Sequence, residues 1–328
     1  MARANSNSAA RLCLVCVCGL ILVLYSVPCA AQTDASLLFA PWDHHDSAEN
    51  RTDALAFERT DISSSHSSTD FLEFHSSGRV RLDQSHGINP SIGYDWTHFD
   101  LSNAAPLLPN HLDDISIAAA TPLGAWGDWF GAALLGVGYA GDDVVGTKGL
   151  YGKADLIAGR RLGNDNTLIF ALDYDGSRTL LPDVPIPYLL YNDHVGKNFE
   201  FTFGFPLTSF QWRPTDRLSI WGDFSIPSSL QGGVEYKFTQ HLFGYAKYVD
   251  QEDAFHTNDL PDDRRLFYHE DRVELGIRWP ASDNFEFSVG AGYGFDRRFN
   301  TGFDDRNLTS VTKLSDEPFI RAAIKFAF

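Results

Sequence analysis

The chain has 328 residues, with 26 Lys and Arg against 43 Asp and Glu and a formal net charge of −17. That acidity argues against nucleic acid as a partner. Aromatic residues make up 13% of the chain, alongside 27 Gly and a single Met. This is not the profile of a soluble helical enzyme; it suits short strands with one aromatic-rich face and one face rich in Gly and charge.

Arg3 and Arg11 form a basic start, followed by an apolar run from Leu12 to about Val27 and small residues at Cys29, Ala30 and Ala31. The pattern predicts a secretory signal peptide over residues 1–31, cleaved after Ala31, and hence export. The run is short for a bilayer span, which takes about 20 apolar residues, and Pro28 argues against lipid attachment at Cys29. All 4 cysteines lie in this segment, so neither disulfides nor thiolate metal sites hold the rest of the chain together. No later stretch is long and apolar enough for a membrane helix. An integral form must therefore be a closed barrel, because lipid offers no partner for open backbone groups.

Residues 32–86 are polar, Ser/His/Asp-rich around 61–71 and weakly periodic, which predicts a flexible periplasmic leader. A short strand at Phe71–Leu82 could tuck into a lumen as a plug. From about Gly87 to Phe328 the pattern becomes a series of strands. In Asn284–Asp296, Phe285, Phe287, Val289, Ala291, Tyr293 and Phe295 share one face, and Glu286, Ser288, Gly290, Gly292, Gly294 and Asp296 share the other. The preceding run places Val273, Leu275, Ile277 and Trp279 opposite Arg272, Glu274, Gly276 and Arg278. Such period-2 alternation marks strands with one apolar and one polar face.

Short polar turns recur near 124–128, 163–166, 214–217, 239–241 and 280–284. Longer acidic connections span 142–149, 176–197, 250–266 and 297–317. Short turns at one end and long loops at the other are the asymmetry of an outer-membrane barrel; the short connection at 226–231 breaks the rule. Strands near 88–101, 112–122, 128–140, 149–162, 167–176, 198–213, 217–226, 231–238, 241–249, 267–279, 284–297 and 318–328 give about twelve, in an antiparallel up-and-down barrel. The segment 198–213 changes phase around Pro206, which suggests a bulge.

The polar face carries Lys153, Asp155, Arg161, Asp173, Glu200, Asp223, Glu235, Lys237, Arg272, Glu274, Arg278, Glu286, Arg321 and Lys325. Mixed signs suit a lumen in which neighbouring strands interlock, rather than the solvated face of a soluble barrel of lipocalin type. Trp96, Trp129, Tyr139, Tyr174, Trp212, Tyr236, Trp279 and Tyr293, near strand ends, are candidates for interfacial girdles. The last strand alternates to a terminal Phe328, which resembles the signal by which outer-membrane barrels dock on their assembly machinery. Outer-membrane lipid and that machinery are the expected partners.

The blocks RPTDRLSIWGDF (213–224) and HEDRVELGIRWPASDNFEFSVGAGYGFDRRF (269–299) resemble a family of bacterial outer-membrane β-barrels catalogued as a domain of unknown function. The likeness spans roughly Gly87–Phe328. It implies fold and outer-membrane location, and brings no catalytic residues with it.

The chain contains neither G-x-S-x-G nor H-E-x-x-H. Ser209, Ser219 and Ser288 with His98, His194, His241, His256 and His269 are the raw material for a hydrolase, but nothing pairs them; no catalytic residue, cofactor or metal is assigned and no enzyme is expected. Acidic groups at Asp142–Asp143, Asp250/Glu252/Asp253, Asp259/Asp262/Asp263 and Asp304–Asp305 lack EF-hand spacing and read as solvated loops. The expected function is a narrow passive pore or transporter for small solutes, of small conductance and weak ion selectivity. The alternatives are a structural or surface-interaction barrel with acidic ion- or partner-binding loops, and thirdly a barrel-embedded hydrolase.

Overall fold

The computed structural model describes residues 35–39, 47–57, 60–63, 67–82, 90–102, 104, 108–143, 147–163, 166–226 and 229–328. The expected signal peptide, residues 1–31, lies outside the described residues. A one-turn helix α1 (Ala35–Leu38) precedes an antiparallel sheet. Its strands are β1 (Ala48–Phe57), β2 (Thr60–Ile62), β3 (Ser67–Arg81), β4 (Ser91–Ser102), β5 (His111–Trp126), β6 (Trp129–Gly141), β7 (Leu150–Arg161), β8 (Thr167–Asp175) and β9 (Ile186–Val195). They continue as β10 (Phe199–Phe205), β11 (Leu207–Thr215), β12 (Leu218–Ser225), β13 (Ser229–Thr239), β14 (Leu242–Phe255), β15 (Arg265–Ser282), β16 (Phe285–Gly302), β17 (Thr309–Lys313) and β18 (Glu317–Ala327).

Leaving aside the short β2 and β17, each strand pairs with the next along the chain, and β1 closes the cylinder on β18 from Glu49↔Ala327 to Phe57↔Phe319. The short β2 and β17 extend β1 and β18 along β3 and β16. Among the described residues the result is a closed barrel of 16 staves, with no unpaired edge.

The expected twelve is thus corrected to 16, and four particular staves account for the difference. Two are β1 and β3, inside the stretch read as a leader. The strand expected at Phe71–Leu82 exists, but as part of β3 in the barrel wall. The barrel therefore starts well before Gly87. β1 escaped because its outward residues, Asn50, Thr52, Ala54 and Ala56, are small or polar; on β3 the outward row of Leu72, Phe74 and Val80 is interrupted by Ser76 and Gly78. Thr52, Ser76 and Tyr94 satisfy one another there, with Thr52 Oγ1 to Ser76 Oγ at 3.0 Å and Ser76 Oγ to Tyr94 Oη at 3.1 Å.

The third is β9, inside the expected long loop 176–197, where Pro185 and Pro187 and the adjacent Leu189 and Leu190 blur the alternation. The fourth comes from 198–213, which is two strands and not one bulged strand. The chain reverses at Pro206, so Phe201 pairs with Phe210 and Phe199 with Trp212. A reversal flips sequence parity while keeping both sets of rings on the same outer face.

Outward positions form an apolar band: Leu135, Val137, Leu156, Phe203, Leu230, Leu275 and Ile320 are all largely exposed. At the end bearing the short turns, Trp126, Trp212, Tyr236, Phe238, Trp279 and Phe285 are exposed together. Tyr139 does not join a girdle; it is buried, and its hydroxyl accepts from the Asp143 N–H at 2.8 Å.

Candidate functional site: the barrel lumen

At the end bearing the long loops, two opposite staves touch. Gly141 at the end of β6 forms a parallel bridge with His256, just after β14, and the His256 N–H donates to Ala140 O at 3.0 Å. Strands β7–β13 separate β6 from β14 on one side, and β15, β16, β18, β1, β3, β4 and β5 on the other. The lumen is therefore pinched into two lobes at this end.

One lobe is packed shut. Leu55, Phe57, Phe71, Phe99, Leu101, Leu112, Phe255, Leu266, Tyr268, Phe299 and Phe319 form a buried apolar cluster. Its rings meet across the interior: Phe71–Tyr268 centroids are 5.3 Å apart, Phe99–Tyr268 5.1 Å and Phe99–Phe255 5.7 Å. Edge and tilted ring contacts of this kind add to the stabilisation from apolar burial. Arg297, fully buried, stands over Phe57 at 3.6 Å and donates to Thr60 Oγ1 at 3.2 Å.

Below the rings the same lobe is filled by charge. Arg272 Nη1 meets Glu73 at 2.9 Å, Arg321 meets Asp53 at 3.0 Å and Glu274 at 3.5 Å, and Lys247 meets Glu274 at 3.1 Å. His75 lies 3.0 Å from Asp95, and Arg79 2.8 Å from Glu49. Arg272, Glu274 and Arg321 belong to the polar face that the alternation predicts; Glu49, Asp53, Glu73, His75 and Arg79 lie in the stretch read as a leader, and Asp95 and Lys247 are not among the residues it predicts.

At the turn end the N-terminal segment enters this interior. Leu38 and Phe39 are buried against Ala118, Ala120, Ala132 and Leu134. Arg79 Nη1 donates to Leu37 O at 3.0 Å and Ser91 Oγ to Leu38 O at 3.1 Å. Gly93 makes room for it: a Cβ there would lie 2.6 Å from Leu38 Cδ2.

The second lobe, within β7–β13, has a different lining. Register places Thr167, Asn192, Thr202, Ser209, Asp223 and Gln231 in one level row across β8–β13, all buried. Asn192 Nδ2 donates to Thr202 Oγ1 at 3.1 Å. Elsewhere on this wall Lys153 pairs with Asp175 at 3.1 Å and Arg178 with Asp173 at 2.5 Å. Glu235 of β13 pairs at 2.8 Å with Arg278, which reaches in from β15 beyond this wall and also meets Glu286 of β16 at 2.5 Å. Inward side chains are thus polar with both charge signs.

Loops are stitched together above the interior. Arg265 donates to Ser177 O at 3.0 Å, Thr179 O at 3.3 Å and Phe303 O at 3.1 Å, tying the 176–185 connection to the one after β16. Lys148 Nζ donates to Thr257 O at 3.1 Å and to Leu260 O, and pairs with Asp262 at 3.4 Å. Asp304 accepts from Arg306 Nε at 2.9 Å, and this bonding holds its carboxyl below the usual carboxylate range. Several acidic loop positions are therefore partnered rather than merely solvated.

The hydrolase candidates do not assemble. Ser209 is level with Thr202 and Asn192, whereas His194 is level with Glu200, its ion-pair partner at 3.4 Å. His98 bonds Asp113 at 2.9 Å, His241 sits 3.3 Å from Pro280 O in a turn, and His256 is at the pinch. Ser219 lies 3.5 Å from Gln211 Nε2, and Ser288 is level with Arg278.

One association escaped the sequence reading. The ligand atoms of Asp250, His269 and Asp271, on β14 and β15, lie within 4.8 Å of one another, and Tyr248 Oη donates to Asp271 at 2.6 Å. Only the strand register brings these positions together; their sequence spacing carries no signal.

These features define a closed antiparallel barrel with an apolar exterior and a polar, partly packed interior. No family model matches the chain, so the resemblance to a domain of unknown function is not confirmed, and no curated protein matches either. Among solved structures, the Pseudomonas putida toluene transporter TodX aligns at 11% identity over 89% of this chain and 91% of its own, with a TM-score of 0.43. A Pseudomonas aeruginosa FadL homologue aligns at 9% over 90% and 92%, with a TM-score of 0.41. Pseudomonas putida OprB aligns at 7% over 86% and 94%, with a TM-score of 0.36. Likenesses this distant carry no argument; the fold rests on this chain's own register.

Proposed function

We propose that the chain is an integral bacterial outer-membrane barrel that acts as a narrow passive channel for small polar solutes. The observation that carries this is the contrast between the two lobes. Barrels of about 16–18 strands enclose an aqueous channel unless something fills it. Here Phe71, Phe99 and Tyr268 fill one lobe, and the conducting path is assigned to the polar lining of β7–β13. The apolar outer band supports a lipid environment. Even strand number leaves both ends of the barrel on the short-turn side, which this reading makes periplasmic. Export through residues 1–31 and assembly through the strand ending at Phe328 belong to the same proposal.

The test is single-channel recording of purified protein in planar bilayers. The reading expects small conductance with little gating charge. Complete electrical silence over a range of voltages and pH, in protein shown to be folded, would discard it.

A second reading is a closed barrel that binds ions or partners through its loops. It is favoured by the Arg265 and Lys148 stitching above the interior. Zinc binding at Asp250, His269 and Asp271 in a non-conducting barrel is the outcome that selects it.

A further inference from the structure

Asp223 stands apart from the other inward acids. Glu73, Asp53, Glu274, Asp173, Asp175 and Glu235 each meet a cationic side chain. Asp223 is only 6% exposed, and neither of its carboxylate oxygens has a hydrogen-bond partner among the described residues. An ionised carboxylate out of water needs a counter-charge or donors aimed at it. Among the described residues no lysine, arginine or histidine forms an ion pair with it.

Its direction is set by the strand. Phe224 on one side is exposed, and Gly222 on the other lies under the outward ring of Phe210. Asp223 therefore faces the lumen. Register places Ser209 of β11 and Gln231 of β13 directly beside it, both buried. Trp221, two residues earlier on β12, shares this inner face, and its indole packs over Gly233, where a Cβ would sit 3.0 Å from the ring.

One carboxylate flanked by neutral oxygen ligands matches a single positive charge; a divalent ion ordinarily gathers more acidic ligands. An indole two residues along the same inner face favours an organic ammonium over a hydrated alkali ion, through the attraction of a cation to the ring. We propose that Asp223, Ser209, Gln231 and Trp221 form a lumen site for the ammonium head of a small monovalent organic cation. The site deepens the channel reading, since it rests on that lobe admitting solutes.

The experiment titrates tetramethylammonium chloride into the detergent-solubilised full chain, with ionic strength held constant by NaCl, and follows heat release. Saturable binding is expected. Asp223→Asn, which keeps the shape and removes the charge, weakens it at least about tenfold. Trp221→Leu weakens it several-fold, and Asp216→Asn, in the exposed turn after β11, binds as the unaltered protein does. Equal binding by Asp223→Asn, or no saturable heat in the folded chain, overturns the site. Sodium or potassium binding as tightly as tetramethylammonium overturns the ammonium assignment. Bilayer recording separates this from the channel reading. Binding without conductance leaves the site and removes the channel. Conductance with an identical reversal potential in Asp223→Asn, and no binding, does the reverse.

Discussion

Arg272 on β15 and Glu73 on β3 meet at 2.9 Å across the packed lobe, although β16, β18 and β1 lie between their strands. The contact ties together walls that share no backbone ladder. Both side chains are largely buried, so removing one leaves the other as an uncompensated charge. Arg272→Ala is expected to destabilise the barrel by roughly 3–5 kcal/mol. Replacing both partners by apolar groups, Glu73→Leu with Arg272→Met, is expected to recover most of that loss. Urea unfolding in micelles reads both. A double variant no better than Arg272→Ala would mean that the pair itself, and not the orphaned charge, sets the cost.

The N-terminal segment is held in the interior by Leu38 and Phe39 in their apolar seat, and by two hydrogen bonds to its backbone carbonyls. Burying a Leu or Phe contributes about 1.5–3 kcal/mol each, so displacing Leu38 removes about half of the apolar anchor and should loosen the segment. Gly93→Leu puts a side chain where Leu38 Cδ2 lies, and Leu38→Asp removes the apolar anchor. Either is expected to raise unitary conductance while leaving the strand content unchanged, as read by bilayer recording and circular dichroism. Unchanged conductance in both would place this segment away from the solute path.

Phe328 lies at the closing seam, where its backbone N–H donates to Ala48 O at 2.9 Å and its carbonyl accepts from Ala48 N at 3.1 Å. Its ring is largely exposed. The seam therefore needs the backbone of residue 328, not its ring. Phe328→Ala is expected to refold in micelles like the unaltered chain, yet yield several-fold less assembled barrel in cells. Equal cellular yield, judged by the heat-modifiable gel band, would remove the assembly role.

What the sequence made legible follows from outward side chains. Where these are large and apolar, as in Val273–Trp279 or Phe285–Phe295, strand direction and facing were readable. Where they are Asn50, Thr52 or Ala54, as on β1, the same backbone geometry left no trace. Phe199 to Trp212 misled differently, since a hairpin through Pro206 and a bulge produce the same parity change. The lumen was legible as a list of charges but not as a site. Pairings such as Arg272 with Glu73, the solitude of Asp223, and the meeting of Asp250, His269 and Asp271 depend on register and on which opposite walls touch.

The pinch between β6 and the end of β14 should respond to acid through His256, which lies outside the strands. Burial chiefly, with Arg265 and Lys148 adding to it and Asp183 and Asp262 opposing, pushes its imidazole below the ordinary value of 6.5. In the unfolded chain His256 takes up a proton as pH falls through about 6.5, while the folded form still resists. The unfolded state then binds more protons, so stability rises with pH in this window. Above the ordinary value His256 contributes no penalty; below it the penalty grows until the depressed folded value is reached. His256→Asn keeps the N–H donated to Ala140 and removes the titration. The difference in thermal midpoint between the two proteins is expected to be flat above pH 7 and to shift in favour of His256→Asn toward pH 5. Protection against hydrogen exchange at 140–143, taken relative to the intrinsic rate at each pH, should fall over the same range in the unaltered chain alone. Parallel melting curves from pH 5 to pH 8 would show that this imidazole does not govern the pinch.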